Sequence, residues 1–381
     1  MSVVEFKVLK KSKRSRARLG VLKTPHGKVE TPAFVPVATQ AVVKTLTNEE
    51  IPDTKSQLLI CNTFHLHLKP GESFIKKSGG LHKFSGLPVP LMTDSAGFQV
   101  FSLGFGRDLG MGKLLKAFPG QDTQVVGENA HPAHVKITDQ GVAFQSPVDG
   151  QGLFIGPGES TKIQEALGAD IIFAFDECTP PTATFRYVKK SLVRTHNWAK
   201  ICLNTKKSRQ AMYGIVQGSH YQELREEAAK FISSLPFDGF GIGGDFGENK
   251  KFQALDWTIP LLNESKPRHM LGIGYLEDME NVIKAGVDTF DCIAPTHYAR
   301  HGVAFTSEGR LQMDRKVFLK IRTPLDNKCM CQVCQNYTKS YISHLVLAKE
   351  ITGIRLLTFH NLYFFNTFVE NLREKIKKGK M

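Results

Sequence analysis

No apolar run in the 381-residue chain approaches the roughly 20 residues that a membrane-spanning helix needs, which excludes a helical membrane protein. The basic N-terminal stretch, with Lys7, Lys10, Lys11, Lys13, Arg14, Arg16 and Arg18, is followed by no apolar segment that could serve as a signal sequence, so a cytoplasmic protein is expected. Cysteine is sparse and odd in number, seven residues, and three of them crowd into Cys329-Met330-Cys331-Gln332-Val333-Cys334. That pattern argues against a disulfide framework and for metal ligands in a reducing compartment. Acidic residues are also short, 36 Asp plus Glu against 50 Lys plus Arg, a net charge of +14. An excess of that size points to a polyanionic partner, most simply nucleic acid. Internal repeats and low-complexity segments are missing, and 41% hydrophobic with 23% charged residues is ordinary for a soluble globular enzyme.

What the chain does contain is eight short, β-rich apolar runs: Val29–Val37, Leu58–Phe64, Val89–Thr93, Asp170–Phe175, Ala211–Val216, Gly239–Ile242, His269–Ile273 and Asp288–Ile293. The stretches between them are long enough for helices, and Tyr221–Ser234 and Leu276–Ala285 carry strong helix formers with apolar residues near helical spacing. Eight βα units predict an α/β fold of the (β/α)8 TIM-barrel type. Between the third and fourth runs, over residues 104–158, short alternating pieces and Gly/Pro turns predict an inserted hairpin. Beyond the barrel, Gly302–Leu311 reads as a second hairpin, followed by the cysteine cluster and helices over Lys339–Glu350 and Leu362–Lys377. Residues 1–310 are expected to form the barrel and 311–381 a metal-binding helical subdomain.

Polar groups collect just past the ends of six runs: Asn62, then Asp94 to Gln99, Asp176-Glu177-Cys178, Gln217-Gly218, Gly243-Gly244-Asp245, and Asp291. Packing is served by apolar layers inside a barrel, so polar groups at six strand ends describe a pocket floor on one rim. Glycines at 97, 218, 243 and 244 would let backbone approach a flat heterocycle closely. Asp94 and Asp291 make a carboxylate pair suited to work at an anomeric carbon, one attacking while the other manages the leaving group's proton. Taken alone, each acid could equally cap a turn. Cys329, Cys331 and Cys334 supply three thiolates, so a closed zinc site needs one more ligand, for which His344 and His360 compete.

The chain resembles the tRNA-guanine transglycosylases over nearly its whole length. The segments that carry the resemblance are Thr31-Pro32-Ala33-Phe34-Val35-Pro36-Val37, Asn62-Thr63-Phe64-His65-Leu66, Met92-Thr93-Asp94-Ser95-Ala96-Gly97-Phe98-Gln99-Val100, Phe175-Asp176-Glu177-Cys178-Thr179-Pro180, Gly214-Ile215-Val216-Gln217-Gly218, Gly241-Ile242-Gly243-Gly244, Phe290-Asp291-Cys292, and the cysteine cluster with His360-Asn361-Leu362. The resemblance implies a homodimeric, zinc-containing barrel that exchanges guanine at the wobble position of a GUN anticodon in tRNA for a 7-deazaguanine, preQ1 or queuine. In it Asp291 matches the nucleophile that attacks ribose C1′, and Asp94 the acid/base. Asp176, Gln217 and Gly244 match readers of the purine edge, with Ser95, Phe98, Cys178, Gly243, Asp245 and Leu271 completing the base-binding set. Asn62 matches a ribose contact, and Thr296, His297 and Arg300 fall on RNA-binding positions. The family's fourth zinc ligand falls on His360, leaving His344 as a helix-surface or packing residue.

Several positions depart from the family pattern. Asp245-Phe246-Gly247 follows the paired glycines where Leu and a small residue are usual, Leu271 replaces a frequent Met, Ala96 a usual Gly, and His297 a usual Arg. Asp245 would attract an ammonium group on the base, while Gly247 would make room for a larger one. Both carboxylates being present argues against an accessory subunit of the same fold. A small-molecule glycosyl enzyme would leave the cysteine cluster and basic termini unexplained. Archaeal members that act on the D-arm carry further C-terminal RNA-binding domains, for which this chain has no room, so wobble position 34 is expected.

Overall fold

Strands β1 (Glu5–Lys11), β2 (Arg18–Thr24) and β3 (Gly27–Thr31) form an antiparallel sheet that ends at Pro32. The computed structural model describes residues 3–100, 135–146, 150–244 and 251–381. Past Pro32 the chain enters β4 (Ala33–Pro36) and β5 (Leu59–Cys61), then three short helices and β6 (Leu91–Thr93). An insertion holds β7 (Val135–Ile137), β8 (Val142–Gln145) and β9 (Gly152–Ile155), and β10 (Ile171–Phe173), β11 (Ala211–Val216), β12 (Gly239–Ile242), β13 (Arg268–Met270) and β14 (Thr289–Cys292) follow. Strands β4, β14, β13, β12, β11, β10, β6 and β5 pair in parallel in that order. A bridge between Val37 and Ile60 closes the ring. The eight barrel strands fall on the eight runs expected from the sequence, most of them trimmed, and the first run, Val29–Val37, is divided at Pro32 between β3 of the antiparallel sheet and β4 of the barrel.

Alternation along the strands explains the closure. Ala33, Val35, Ile60, Met92, Ile171, Phe173, Ala211, Tyr213 and Ile215 share the interior cluster, which Leu22 of β2 and Val29 of β3 extend below the barrel. Their neighbours Phe34, Leu59, Ile172, Met212, Phe240 and Phe290 turn outward against the helices. In β12 the alternation runs glycine-in, large-out. A side chain at Gly239 would strike the Tyr213 ring at 2.5 Å and one at Gly241 the Phe173 ring at 3.1 Å, so glycine there admits the aromatic layer. Helix Gln222–Ser234 buries Leu224, Ala228, Ala229 and Ile232, the stripe its spacing predicts, and Arg225 with them.

The insertion is a three-stranded antiparallel sheet, β7-β8-β9, where a two-stranded hairpin was expected. The short piece Val135–Ile137 lacks the length to announce itself in sequence; residues 101–134 and 147–149 of the insertion lie outside the described residues. A second difference is the C-terminal helix, which spans Ile351–Lys377 and so begins well before Leu362. Buried His360 and Asn361 interrupt the apolar pattern at its centre without interrupting the helix. Hairpin strands β15 (Val303–Thr306) and β16 (Gly309–Gln312) lie beside it. Ring contacts of Phe365 with Phe34 (5.5 Å) and Phe305 (4.9 Å) pack this helix onto the barrel. Among the described residues no helix is long and apolar enough to cross a membrane.

Candidate active site

The two acids of β14 and its approach serve opposite ends of the barrel. Asp288, just before the strand, accepts a buried bidentate pair from Arg18, with Nε at 2.8 Å and Nη2 at 2.6 Å, and also the Arg268 amide at 2.8 Å. This clamp ties the N-terminal sheet to the barrel's bottom. Asp291, opposite Val35 in the ladder, lies toward the C-terminal rim, where such folds carry their chemistry. Pro295 lies in the first turn of helix Ala294–Arg300, so the chain turns directly from the nucleophile candidate into a helix.

Asp291 is held through one oxygen. Its Oδ1 accepts from the Gly272 amide at 2.9 Å and meets His269 Nε2 at 3.2 Å. Buried His269 meets the Thr289 hydroxyl through Nδ1 at 2.9 Å, so with the proton on Nε2 the hydroxyl donates to Nδ1 and the chain Thr289, His269, Asp291 fixes the carboxylate plane. No donor among the described residues engages Oδ2, which leaves a lone pair for attack. His269 and Thr289 were not singled out from sequence, because only the sheet brings them side by side, in register on adjacent strands.

Asp94, past β6, is half-buried, with both carboxylate oxygens turned into the protein. Its Oδ1 accepts from the amides of Thr63 (3.0 Å) and Ala96 (3.1 Å), and its Oδ2 from Asn62 Nδ2 (2.6 Å) and Gln99 Nε2 (3.3 Å). Burial pushes its pKa up to about 7 against those bonds, with the nearby Asp291 charge adding to the rise. Asn62 also caps helix Thr63–Leu68 through Oδ1, so the structure sets this expected ribose contact against Asp94. Ala96 stands at φ 68°, a left-handed conformation that explains why glycine suits the position.

A second polar cluster spans β6, β10, β11 and β12. Asp176 accepts from Ser95 Oγ (3.0 Å) and Gln217 Nε2 (2.6 Å), and burial raises its pKa to about 6 despite these bonds. Gln217 Oε1 is buried with no partner among the described residues, an acceptor without a donor of the protein's own. A Cβ at Gly244 would lie 2.6 Å from that oxygen, one at Gly97 2.6 Å from the Asp176 carbonyl, and one at Gly243 3.4 Å from Leu271. These glycines therefore let three rim loops converge. Phe98 is 51% exposed beside the site and Cys178 is half-buried; Asp245 lies outside the described residues.

On helix Ala294–Arg300, the Thr296 hydroxyl returns to the Ile293 carbonyl (3.1 Å) and Arg300 Nε to the Thr296 carbonyl (3.1 Å). Half-buried His297 has its pKa lowered by desolvation and by neighbouring His301 and Arg300, which favours the neutral ring.

Cys329, Cys331, Cys334 and His360 are buried together, with their donor atoms within 4.8 Å of one another. The three sulfurs lie 3.8, 3.4 and 3.3 Å from His360 Nδ1. Tetrahedral ligation at about 2.3 Å to sulfur and about 2.0 Å to nitrogen requires a separation of about 3.5 Å. His360 Nε2 donates to the Phe305 carbonyl at 2.8 Å, so Nδ1 keeps its lone pair for the ion. His344 is exposed on helix Lys339–Leu347. A second cluster, His26, His82 and Asp170, lies at the barrel's bottom, but its imidazoles stack at 3.4 Å with planes 10° apart. One ion cannot lie in both ring planes, so this group does not fit a shared metal.

A model of the family described as Queuine tRNA-ribosyltransferase matches residues 12–381. A queuine tRNA-ribosyltransferase of Halothermothrix orenii is 44% identical over 379 residues, covering 98% of this chain and 94% of that protein. One from Desulforamulus reducens is 42% identical over 382 residues, 99% of this chain and 96% of that protein. A putative queuine tRNA-ribosyltransferase of Archaeoglobus fulgidus is 44% identical over 379 residues, 96% and 94% of the two chains. With a closed parallel barrel, a rim of acids and a metal-ready Cys3His cluster behind a match of this extent, the chain belongs to the queuine tRNA-ribosyltransferase family of pentosyltransferases.

Proposed function

We propose that this chain exchanges guanine at wobble position 34 of a GUN anticodon in tRNA for a 7-deazaguanine, preQ1 or queuine, through a covalent Asp291–ribose intermediate. The observation that carries the reading is the carboxylate pair: Asp291 with Oδ2 open at the rim, beside an Asp94 whose pKa is raised to about 7 by desolvation and by the Asp291 charge. Asp291 Oδ2 attacks C1′ and the glycosidic electron pair leaves on the base nitrogen, which takes the proton of Asp94. In the return step Asp94 removes the ring N–H proton of the incoming base, whose nitrogen attacks C1′ and releases the Asp291 carboxylate. Asp176 accepts from the adjacent N–H groups of the purine, Gln217 and the 243–244 backbone complete the edge, and Phe98 offers a stacking face. Reaching this pocket requires a flipped wobble base. The net charge of +14 suits the phosphates of an anticodon arm, with Asn62, Thr296, His297 and Arg300 on the RNA side. Asp245 is retained as a base-binding residue.

The same proposal includes a zinc ion on Cys329, Cys331, Cys334 and His360, which when bound ties the cysteine segment to the C-terminal helix, and a division into a barrel through residue 310 and a zinc-binding unit over 311–381. It also places the enzyme in the cytoplasm as a homodimer. Exposed Val317, Leu319, Met330, Tyr337, Tyr341 and Ile351 supply apolar area for the pairing, and the Tyr337 and Tyr341 rings stack at 5.6 Å. Sedimentation at twice the chain mass is expected.

The test is a competition of preQ1, preQ0, queuine and guanine for incorporation into unmodified tRNA, read by nucleoside mass spectrometry; failure to incorporate any of them refutes the reading. A pH dependence follows from the two raised acids. Asp94 can protonate a leaving base only below about pH 7, so covalent-adduct formation should fall as pH rises through that value. Asp176 must be ionised to accept from the purine, so KM for the base should rise as pH falls through about 6. An adduct rate that stays flat from acid to alkaline pH would remove Asp94 from the acid's role.

A further inference from the structure

A cation lies completely buried behind the base-reading cluster. Arg225, in the first turns of helix Gln222–Ser234, has no exposed surface. Burial lowers its pKa to about 9, with the neighbouring Cys178 working against that fall. Near a helix N-terminus the macrodipole also disfavours a positive charge. An apolar side chain of similar volume would fill the space more cheaply, so packing does not account for the residue.

Its hydrogen bonds do. Nε donates to the Ser219 carbonyl at 2.7 Å, and Nη1 donates to the carbonyls of Val216 (3.1 Å) and Gly243 (2.8 Å). One planar fork therefore joins the end of β11, the turn after it and the end of β12. The bond to Gly243 has a geometric consequence. In a trans peptide the C=O and the following N–H point in opposite directions. With the Gly243 carbonyl drawn back onto Arg225, the Gly244 N–H is turned the other way, away from the guanidinium. Gly244 adopts φ 97° there, and a Cβ would meet both Gln217 Oε1 (2.6 Å) and Arg225 Nη2 (3.0 Å). Gly218, at φ 128°, lets the helix come in close, since a Cβ would lie 2.8 Å from the Arg225 amide.

We propose that Arg225 is a positioning residue for base selection: it locks the Gly243–Gly244 peptide with its N–H presented to the carbonyl oxygen of the purine. This rests on the transglycosylase reading above. It assigns a role to a side chain that does not itself touch the base, and it makes recognition of the 6-carbonyl depend on a guanidinium behind the pocket.

Arg225→Lys retains charge but not the fork, and Arg225→Met retains volume without any donor. Both are to be measured as full-length, zinc-loaded enzyme. KM for guanine is expected to rise about tenfold or more, the worth of one well-placed hydrogen bond, with kcat at saturating base close to wild type. The sharper readout compares guanine with 6-thioguanine, which keeps the N–H edge but offers a poor acceptor at position 6. Wild type should prefer guanine by about tenfold, and that preference should shrink toward unity in Arg225→Lys. An unchanged guanine to 6-thioguanine ratio in the lysine variant overturns the proposal. So does a variant whose melting temperature, zinc content, kcat and KM deteriorate together, because that describes general support of the fold. If wild type exchanges no guanine into tRNA, the functional reading itself fails and this proposal with it; loss of discrimination in the variants alone cannot produce that result.

Discussion

Asp291→Ala is expected to abolish guanine exchange, by at least about 10⁴-fold as for removal of other enzymatic nucleophiles, while one equivalent of metal and the folded barrel persist. The reason is the division of labour between the two carboxylate oxygens. Oδ1 is engaged by the Gly272 amide and His269, and Oδ2 is the atom that, in the proposed mechanism, attacks C1′. Alanine strips both donors of their acceptor, at about 1–3 kcal/mol for buried His269 and less for the exposed Gly272 amide, which water can satisfy. Asp291→Asn is the cleaner companion. It keeps an acceptor for Gly272 and His269, so its stability should match wild type, yet its amide does not provide the carboxylate that forms the ester with ribose. Labelled guanine incorporated by either variant at near wild-type rate would displace Asp291 from the nucleophile's role. Denaturing gels of enzyme with tRNA should show a slow-migrating covalent species for wild type and none for the variants.

How much of this was legible in the sequence depended on whether a residue's role is local. The eight strands were legible because β-branched and aromatic runs declare themselves over a few residues, and Gly239 and Gly241 kept their run readable even though they are there for Tyr213 and Phe173. The rim acids were legible because they lie at or just past strand ends. Asp288 and Asp291 look alike in the sequence, and only the sheet shows that Arg18, 270 positions away, takes the first for structure. Arg225 was hidden for the same reason: in a helix it reads as one more surface charge, and its burial comes from the approach of three chain segments. Asn62 shows the converse, a visible residue whose partner, Asp94, could not be inferred from spacing. The long helix Ile351–Lys377 was cut short because His360 and Asn361 are polar residues facing inward, which hydrophobic periodicity reads as a boundary.

That same pair links the metal to the active site and gives the second large expected effect. Cys331→Ser should lose the zinc and loosen the C-terminal region. The Cys331 sulfur lies 3.4 Å from His360 Nδ1 and accepts the Cys334 amide at 3.4 Å, so it serves both as ligand and as cap of helix Gln332–Asn336. A hydroxyl could cap, but it does not replace a thiolate for zinc. Without the ion, the three thiols and His360 Nδ1 crowd together in an enclosed site with no cation to order them, and the binding energy that helped fold the segment is gone. The disturbance has a defined route. His360 donates to the Phe305 carbonyl, while Asn361 accepts the Phe305 amide (3.0 Å) and donates to the carbonyls of Pro295 (3.1 Å) and Val303 (2.9 Å). Pro295 opens the helix that follows Asp291. Faster hydrogen exchange is therefore expected first over residues 303–312 and 329–336 and then over 294–300, with the barrel strands β10 to β12 still protected, and a chelator should reproduce the pattern in wild type. Activity should fall as the helix beside Asp291 loosens, although the proposed ion serves only to tie the segment down. A Cys331→Ser protein that retains one zinc per chain would refute the ligand set, and one that loses zinc with unchanged exchange at 294–300 would break the proposed link between the metal and the nucleophile.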